Sequence, residues 1–166
     1  PDGSLDSWAP ISGSAAVYSL LVTPTTLYVG GFFDDLGGQP RRNLGAIDIA
    51  TGNATTWNPR PTGSVKSMAL SGTTLYVGGF FDSLSAVARK NAGALSTTTG
   101  IATSWQPAPN GEVRALAVSG STVYLGGGFS LLGVTARGNI AATDATTGAP
   151  ASWAPEANSA VLALGV

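Results

Sequence analysis

The chain has no cysteine and no histidine among its 166 residues. The first absence removes disulfides, thiolate metal sites and cysteine nucleophiles. The second removes Ser-His-Asp triads, histidine zinc sites and histidine general bases. Charge is scarce as well: eight basic and nine acidic residues leave a formal net charge of −1. That leaves no electrostatic footprint for nucleic acid or an anionic membrane as partner. No apolar run approaches the roughly 18 residues that mark a membrane-spanning helix, so no membrane insertion is expected. No signal or transit pattern opens the chain, and Pro1 in place of Met fits a mature or excised segment. No stretch carries a helical period, and 23 Gly and 10 Pro interrupt any long helix.

What is present is a repeat. Trp-x-Pro triplets begin at Trp8, Trp57, Trp105 and Trp153, spaced 49, 48 and 48 residues apart. Self-similarity at this period marks stacked supersecondary units. Tyr28, Tyr76 and Tyr124 keep the same step, each followed by one β-type residue and a Gly-Gly pair. Phe33, Phe81 and Phe129 come next, then Arg41, Arg89 and Arg137, then Asn43, Asn91 and Asn139. Gly3, Gly52, Gly100 and Gly148 each stand five residues before their Trp. Val17, Val65, Val113 and Val161 open successive units.

One unit, residues 65–112, reads as four short strands, a to d. Val65-Lys-Ser-Met-Ala-Leu70 ends at the turn signal Ser71-Gly72. Thr73-Thr-Leu-Tyr-Val77 is β-branched and aromatic and ends at Gly78-Gly79. A longer connection leads to Asn91-Ala-Gly-Ala-Leu-Ser96, and Ile101-Ala-Thr-Ser-Trp105 closes the unit. Pro107 cannot donate to a ladder, so strand d stops before it. Four antiparallel strands in about 48 residues is the size of one propeller blade.

The expected fold is therefore all-β: blades of four antiparallel strands, as an open arc or part of a larger propeller. Residues 17–64, 65–112 and 113–160 form three full repeats. Residues 1–16 would be the last strand of a preceding blade with its linker, and 161–166 the first strand of a following one. Propellers typically close with at least four blades. Either the remaining blades belong to the same parent chain, or other copies cover the open faces.

Tyr28-Val-Gly-Gly-Phe-Phe33, Gly37-Gly38, Arg42-Asn43-Leu44, Asp48 and Gly52 with Trp57-Asn-Pro59 carry a family likeness. On these residues the chain resembles the delta-60 (DUF5122-type) propeller repeat, and Pro1-Asp-Gly-Ser-Leu-Asp6 resembles that family's inter-blade segment. The resemblance covers essentially the whole chain. It implies an extracellular setting, secreted or attached to a cell surface, and a scaffold motif without catalytic residues. Repeat two departs from it, with Ser85-Ala86 in place of Gly37-Gly38 and Ser96 in place of Asp48.

Positions identical in all repeats serve needs that every blade shares. The Trp and Tyr series (Trp8, Trp57, Trp105, Trp153; Tyr28, Tyr76, Tyr124) reads as blade-to-blade packing rather than a sugar-binding ring. Arg41, Arg89 and Arg137 form either an anion-binding ring or donors to Asp48, Asp144 or a backbone carbonyl of their own blade. Asp34, Asp35 and Asp82 have no counterpart at Ser130-Leu131 and no ligand spacing, so no calcium, other metal or cofactor is expected. Asn53-Ala54-Thr55 matches a glycosylation sequon in one repeat only.

An antiparallel meander puts the tight a–b and c–d turns on one face and the longer b–c and d–a connections on the other. The second group varies between repeats, and binding residues concentrate on variable loops over a rigid scaffold. The second residue of strand a also varies: Tyr18, Lys66, Arg114 and Leu162. Tyr18, Lys66 and Arg114, with Arg41, Arg89 and Arg137, are the candidate ligand contacts. The expected function is a non-catalytic binding or adhesion scaffold for a surface protein or glycan. A structural spacer or assembly subunit is the second reading. A carbohydrate-active enzyme or lectin, using loop carboxylates such as Asp34 with Asp35 or Asp82 with Glu112 together with Trp, is the third.

Overall fold

The computed structural model describes residues 15–166, so Trp8 and the rest of the opening segment lie outside the described residues. Those described are all-β, without a helix. Strands β1 (Ala16–Val22) and β2 (Thr26–Phe32) pair. A two-residue hairpin follows, β3 (Asp35–Leu36) with β4 (Gln39–Pro40), and β5 (Leu44–Asp48) returns beside β2. The succession recurs as β6 (Ser64–Ser71), β7 (Thr74–Phe80), β8 (Ser83–Leu84), β9 (Val87–Ala88) and β10 (Ala92–Ser96). It recurs again as β11 (Glu112–Ser119), β12 (Thr122–Gly128), β13 (Leu131–Leu132), β14 (Thr135–Ala136) and β15 (Ile140–Asp144). Each three-stranded sheet is antiparallel with its second long strand in the middle. The first strands begin one residue before the sequence boundaries, at Ala16, Ser64 and Glu112.

Strand d does not form as expected. It is reduced to one bridge per sheet, Ile47 with Ala54, Leu95 with Ala102 and Thr143 with Pro150. The cause is competition for its carbonyls. Thr55 N–H still donates to Ala46 O at 2.8 Å, but the Thr55 carbonyl oxygen accepts from the Arg41 guanidinium instead of a ladder partner. Arg89 Nη2 takes Thr103 O at 2.5 Å and Arg137 Nη2 takes Ala151 O at 2.7 Å. A sheet of three strands with a pinned fourth segment results.

Strand b is longer than expected, because Gly78-Gly79 lies within β7 rather than ending it. The pair is there for closeness. A Cβ on Gly78 would sit 2.5 Å from Val113 Cγ1 of the next sheet, and one on Gly30 2.7 Å from Val65 Cγ1. Residues 161–166, expected as a strand, form none among the described residues. Val161 nevertheless stands against Gly126 as Val65 stands against Gly30, its Cγ1 2.7 Å from where a Cβ would be.

The core lies between the sheets. β6 packs against β1 and β2, and β11 against β6 and β7. Val65, Leu75, Val77 and Leu95 are buried with Tyr28 and Trp57 of the preceding unit, and Val113, Val123 and Leu125 with Tyr76 and Trp105. Burying each such aliphatic side chain contributes about 1.5–3 kcal/mol. Burial on both sides makes β7 and β10 apolar almost throughout, whereas β6 alternates between buried and half-buried residues.

Candidate functional site

Most of the recurring polar side chains bond within the scaffold. Trp57 Nε1 donates to Ser96 O at 3.0 Å and Trp105 Nε1 to Asp144 O at 3.1 Å, each reaching the following sheet. Each indole also meets its own Tyr edge-on, with ring centroids 5.2 Å apart for Tyr28–Trp57 and 5.0 Å for Tyr76–Trp105. Tyr124–Trp153 keeps that geometry at 5.4 Å, with Trp153 46% exposed against 1% for Trp105. Tyr76 Oη donates to Ala145 O at 2.8 Å. Burial pushes the Tyr28 and Tyr76 hydroxyls above their ordinary range.

Asn43, Asn91 and Asn139 hold a left-handed backbone, with φ of 60°, 59° and 63°. Asparagine tolerates this region better than other side chains with a Cβ. Their Nδ2 groups donate to Pro61 O, Pro109 O and Ala157 O, at 3.3, 3.0 and 2.8 Å. The b–c corner is thereby tied to the d–a connection.

Arg41, Arg89 and Arg137 turn their Nη groups to backbone carbonyls, while each buried Nε has no hydrogen-bond partner among the described residues. Besides the d-segment carbonyls, their Nη1 groups donate to Pro40 O, Ala88 O and Ala136 O, at 2.8, 2.8 and 2.7 Å. They do not pair with Asp48 or Asp144, which organise their own c–d turns. Asp48 Oδ1 accepts from Thr51 Oγ1 and Thr51 N, both at 2.8 Å. Asp144 Oδ1 accepts from Thr147 N at 2.8 Å and Thr147 Oγ1 at 2.9 Å. These bonds hold both carboxyls below the usual carboxylate range, led by the Thr51 hydroxyl for Asp48 and the Thr147 amide for Asp144. Ser96 makes a weaker version, its hydroxyl accepting from Thr99 N at 3.3 Å.

The two families of connections separate as the meander requires. Thr97 N donates to Thr73 O and Ala145 N to Ser121 O, both at 2.9 Å, so the a–b and c–d turns touch. On the other face each d–a connection grips the following b–c corner. Thr62 Oγ1 accepts from Asp82 N at 3.0 Å and Ser83 N at 3.1 Å, and Asn110 Oδ1 from Ser130 N at 2.9 Å and Leu131 N at 3.0 Å. Two grooves open here. One, of about 360 Å³, has Thr62, Gly63 and Asn110 on its walls with Phe80, Asp82 and Lys90. The other, of about 500 Å³, has Gly128, Ser130 and Gly138 at the corresponding places.

The b–c connection is more built than a variable loop. Leu36, Leu84 and Leu132 are buried to within 1% at the start of the small hairpins. Their 48-residue recurrence is a signal in the sequence that a reading of this segment as variable loop passes over.

Tyr18, Lys66 and Arg114 occupy one structural feature. The register of each first strand slips by a residue, between Val17 and Ser19, Val65 and Ser67, and Val113 and Ala115. The three side chains are the extra residues of these β-bulges. Each bulge lies on an edge strand, where it blunts pairing with other strands and re-aims a side chain. Lys66 Nζ lies 3.3 Å from the centroid of the Tyr18 ring. Glu112 Oε2 accepts from Arg114 Nε at 2.7 Å. Leu162 is exposed and outside any strand. Among the described residues no group of three or more Asp or Glu is placed to hold a metal ion.

The fold has solved counterparts.

A computationally designed protein, Ika4, matches 95% of this chain with 84% of its own length, at a TM-score of 0.69 and 17% identity. A second, Ika8, matches 91% of this chain with 40% of its own length, at a TM-score of 0.67 and 17% identity. At such identity the likeness concerns the fold alone. No protein-family model and no curated protein sequence matches the chain.

Proposed function

We propose that the chain is a run of β-propeller-type blades serving as a non-catalytic binding scaffold, in a secreted or surface-attached protein. Residues 17–64, 65–112 and 113–160 are the blades, and further blades come from the parent chain or other copies. One observation carries this reading. The recurring Trp, Tyr, Asn and Arg side chains bond to neighbouring sheets or to their own connections, whereas the non-recurring Tyr18, Lys66 and Arg114 sit at edge-strand bulges. The extracellular setting comes from the resemblance to the delta-60 repeat family.

Immobilised glycans and extracellular proteins, probed with the purified chain, test this function. Binding should fall when Lys66 or Arg114 is replaced and persist when the a–b turn residues Ser71 and Thr73 are. Turnover of a polysaccharide, lost on Asp82→Asn, would overturn the non-catalytic part.

A spacer or assembly role has its own support. Val17 is 40% exposed on β1, where its counterparts Val65 and Val113 are fully buried, and Leu20 is 61% exposed where its counterpart Leu116 is 9%. A monodisperse monomer in solution would argue against that role.

A further inference from the structure

We propose that Tyr18, Lys66 and Arg114 form a stepped strip that binds an acidic polysaccharide, with Lys66 and Arg114 holding its carboxylate or sulfate groups. This rests on the binding-scaffold reading and names the site and ligand class.

The strip is continuous because the edge strands are neighbours: β6 packs against both β1 and β11. Each bulge lifts its residue out of the ladder at the same height, so successive blades contribute one side chain each. The Lys66 ammonium over the Tyr18 ring shows that consecutive positions reach one another.

Although the chain's net charge is −1, the strip itself is locally positive, with Lys66 and Arg114 against Glu112. The two ion pairs among the described residues are Arg42–Asp34 and Arg114–Glu112. Among the described residues the Lys66 ammonium faces a ring rather than a carboxylate. Glu112 fixes the Arg114 guanidinium through Nε, which orders a planar donor suited to oxyanions.

The apolar surroundings favour a sugar over an acidic peptide. Tyr18 is 46% exposed, and Phe32 and Phe80 are 60% and 65% exposed. Those Phe residues pair with Ala16 and Ser64, two residues before the bulged positions. Exposed rings on the same sheets can stack against the C–H faces of pyranose rings while Lys66 and Arg114 take their acid groups. A peptide of acidic residues offers the charge without those faces.

The experiment is calorimetric titration of the purified chain with four oligomers: uronic acid, sulfated sugar, neutral sugar and polyglutamate. Binding of either acidic sugar, at least about tenfold tighter than the neutral one and weakening with added salt, is expected. The two acidic arms separate carboxylate from sulfate recognition. Lys66→Gln and Arg114→Gln should each weaken binding by roughly tenfold, the loss of one charge-assisted hydrogen bond. Arg60→Gln, at an exposed cation of the d–a connection, should leave it unchanged, and circular dichroism checks that each variant folds. Acidic-sugar binding that survives both strip variants and falls in Arg60→Gln overturns the strip and leaves a loop-face scaffold standing. Equal binding of polyglutamate overturns the carbohydrate class, and no preference for acidic over neutral sugar overturns the proposal.

Discussion

Trp105 donates its indole N–H to the carbonyl oxygen of Asp144 at 3.1 Å, across the boundary between two sheets. Trp57 repeats the contact with Ser96, again 39 residues ahead. The receiving turn ends in glycine for the same reason. A Cβ on Gly148 would stand 2.7 Å from Gln106 N, and one on Gly100 3.3 Å from Trp57 Nε1. The Trp-x-Pro triplet of one unit and the glycine of the next are two halves of one joint. In such a series each unit is stabilised chiefly by its neighbours.

The joint sets a contrast within one residue type. Trp105→Ala should cost about 3–5 kcal/mol, as for a large core side chain. Trp153→Ala, at a half-exposed ring, should cost about 1 kcal/mol. Urea unfolding of the two variants beside the parent chain measures the difference. Equal costs would contradict the inter-sheet role of the Trp series.

The small hairpins give a second contrast. Gly38 and Ala86 occupy equivalent places with φ of 68° and 61°. The left-handed region disfavours a side chain with a Cβ. Ala86→Gly should raise stability by roughly 0.5–1 kcal/mol, and Gly38→Ala should lower it by about 1 kcal/mol. Nothing lies within 4 Å of a Cβ built on Gly38, so that loss would report backbone conformation alone. Thermal midpoints of both variants check the pair.

The c–d turns make stability depend on acid. Asp48 and Asp144 have folded-state pKa values lowered by their threonine donors. A lowered carboxylate contributes stability that is complete above its unfolded pKa and is lost as pH falls through the folded value. Urea midpoints should therefore be level above the ordinary carboxylate range, at about pH 4, and decline as the pH falls below it. Asp48→Asn with Asp144→Asn should flatten that decline.

Much of the frame was legible in the sequence because packing needs recur in every unit. Trp57, Tyr28 and Gly100 keep one period because they meet in one joint. The fate of strand d was not legible. Ile101-Ala-Thr-Ser-Trp105 has a strand's composition, but only the fold shows that the Arg89 guanidinium takes the Thr103 carbonyl. Leu36 is the opposite case: its recurrence at Leu84 and Leu132 is plain in the letters, but the surrounding loop letters vary. The candidate contacts divided in the same way. Variation at Tyr18, Lys66 and Arg114 was visible in the letters, but the bulge that unites them depends on strand register. Recurrence at Arg41, Arg89 and Arg137 marked need without saying whether the need was a ligand's or the scaffold's.

The most direct test of the division between scaffold and binding residues is a ¹H–¹⁵N NMR titration of the chain with a uronic-acid oligomer. The account predicts shifts concentrated at the backbone of Tyr18, Lys66 and Arg114, with the indole signals of Trp57 and Trp105 unmoved. Shifts centred on those indoles, or on the a–b and c–d turns at the opposite end of the sheets, would contradict it.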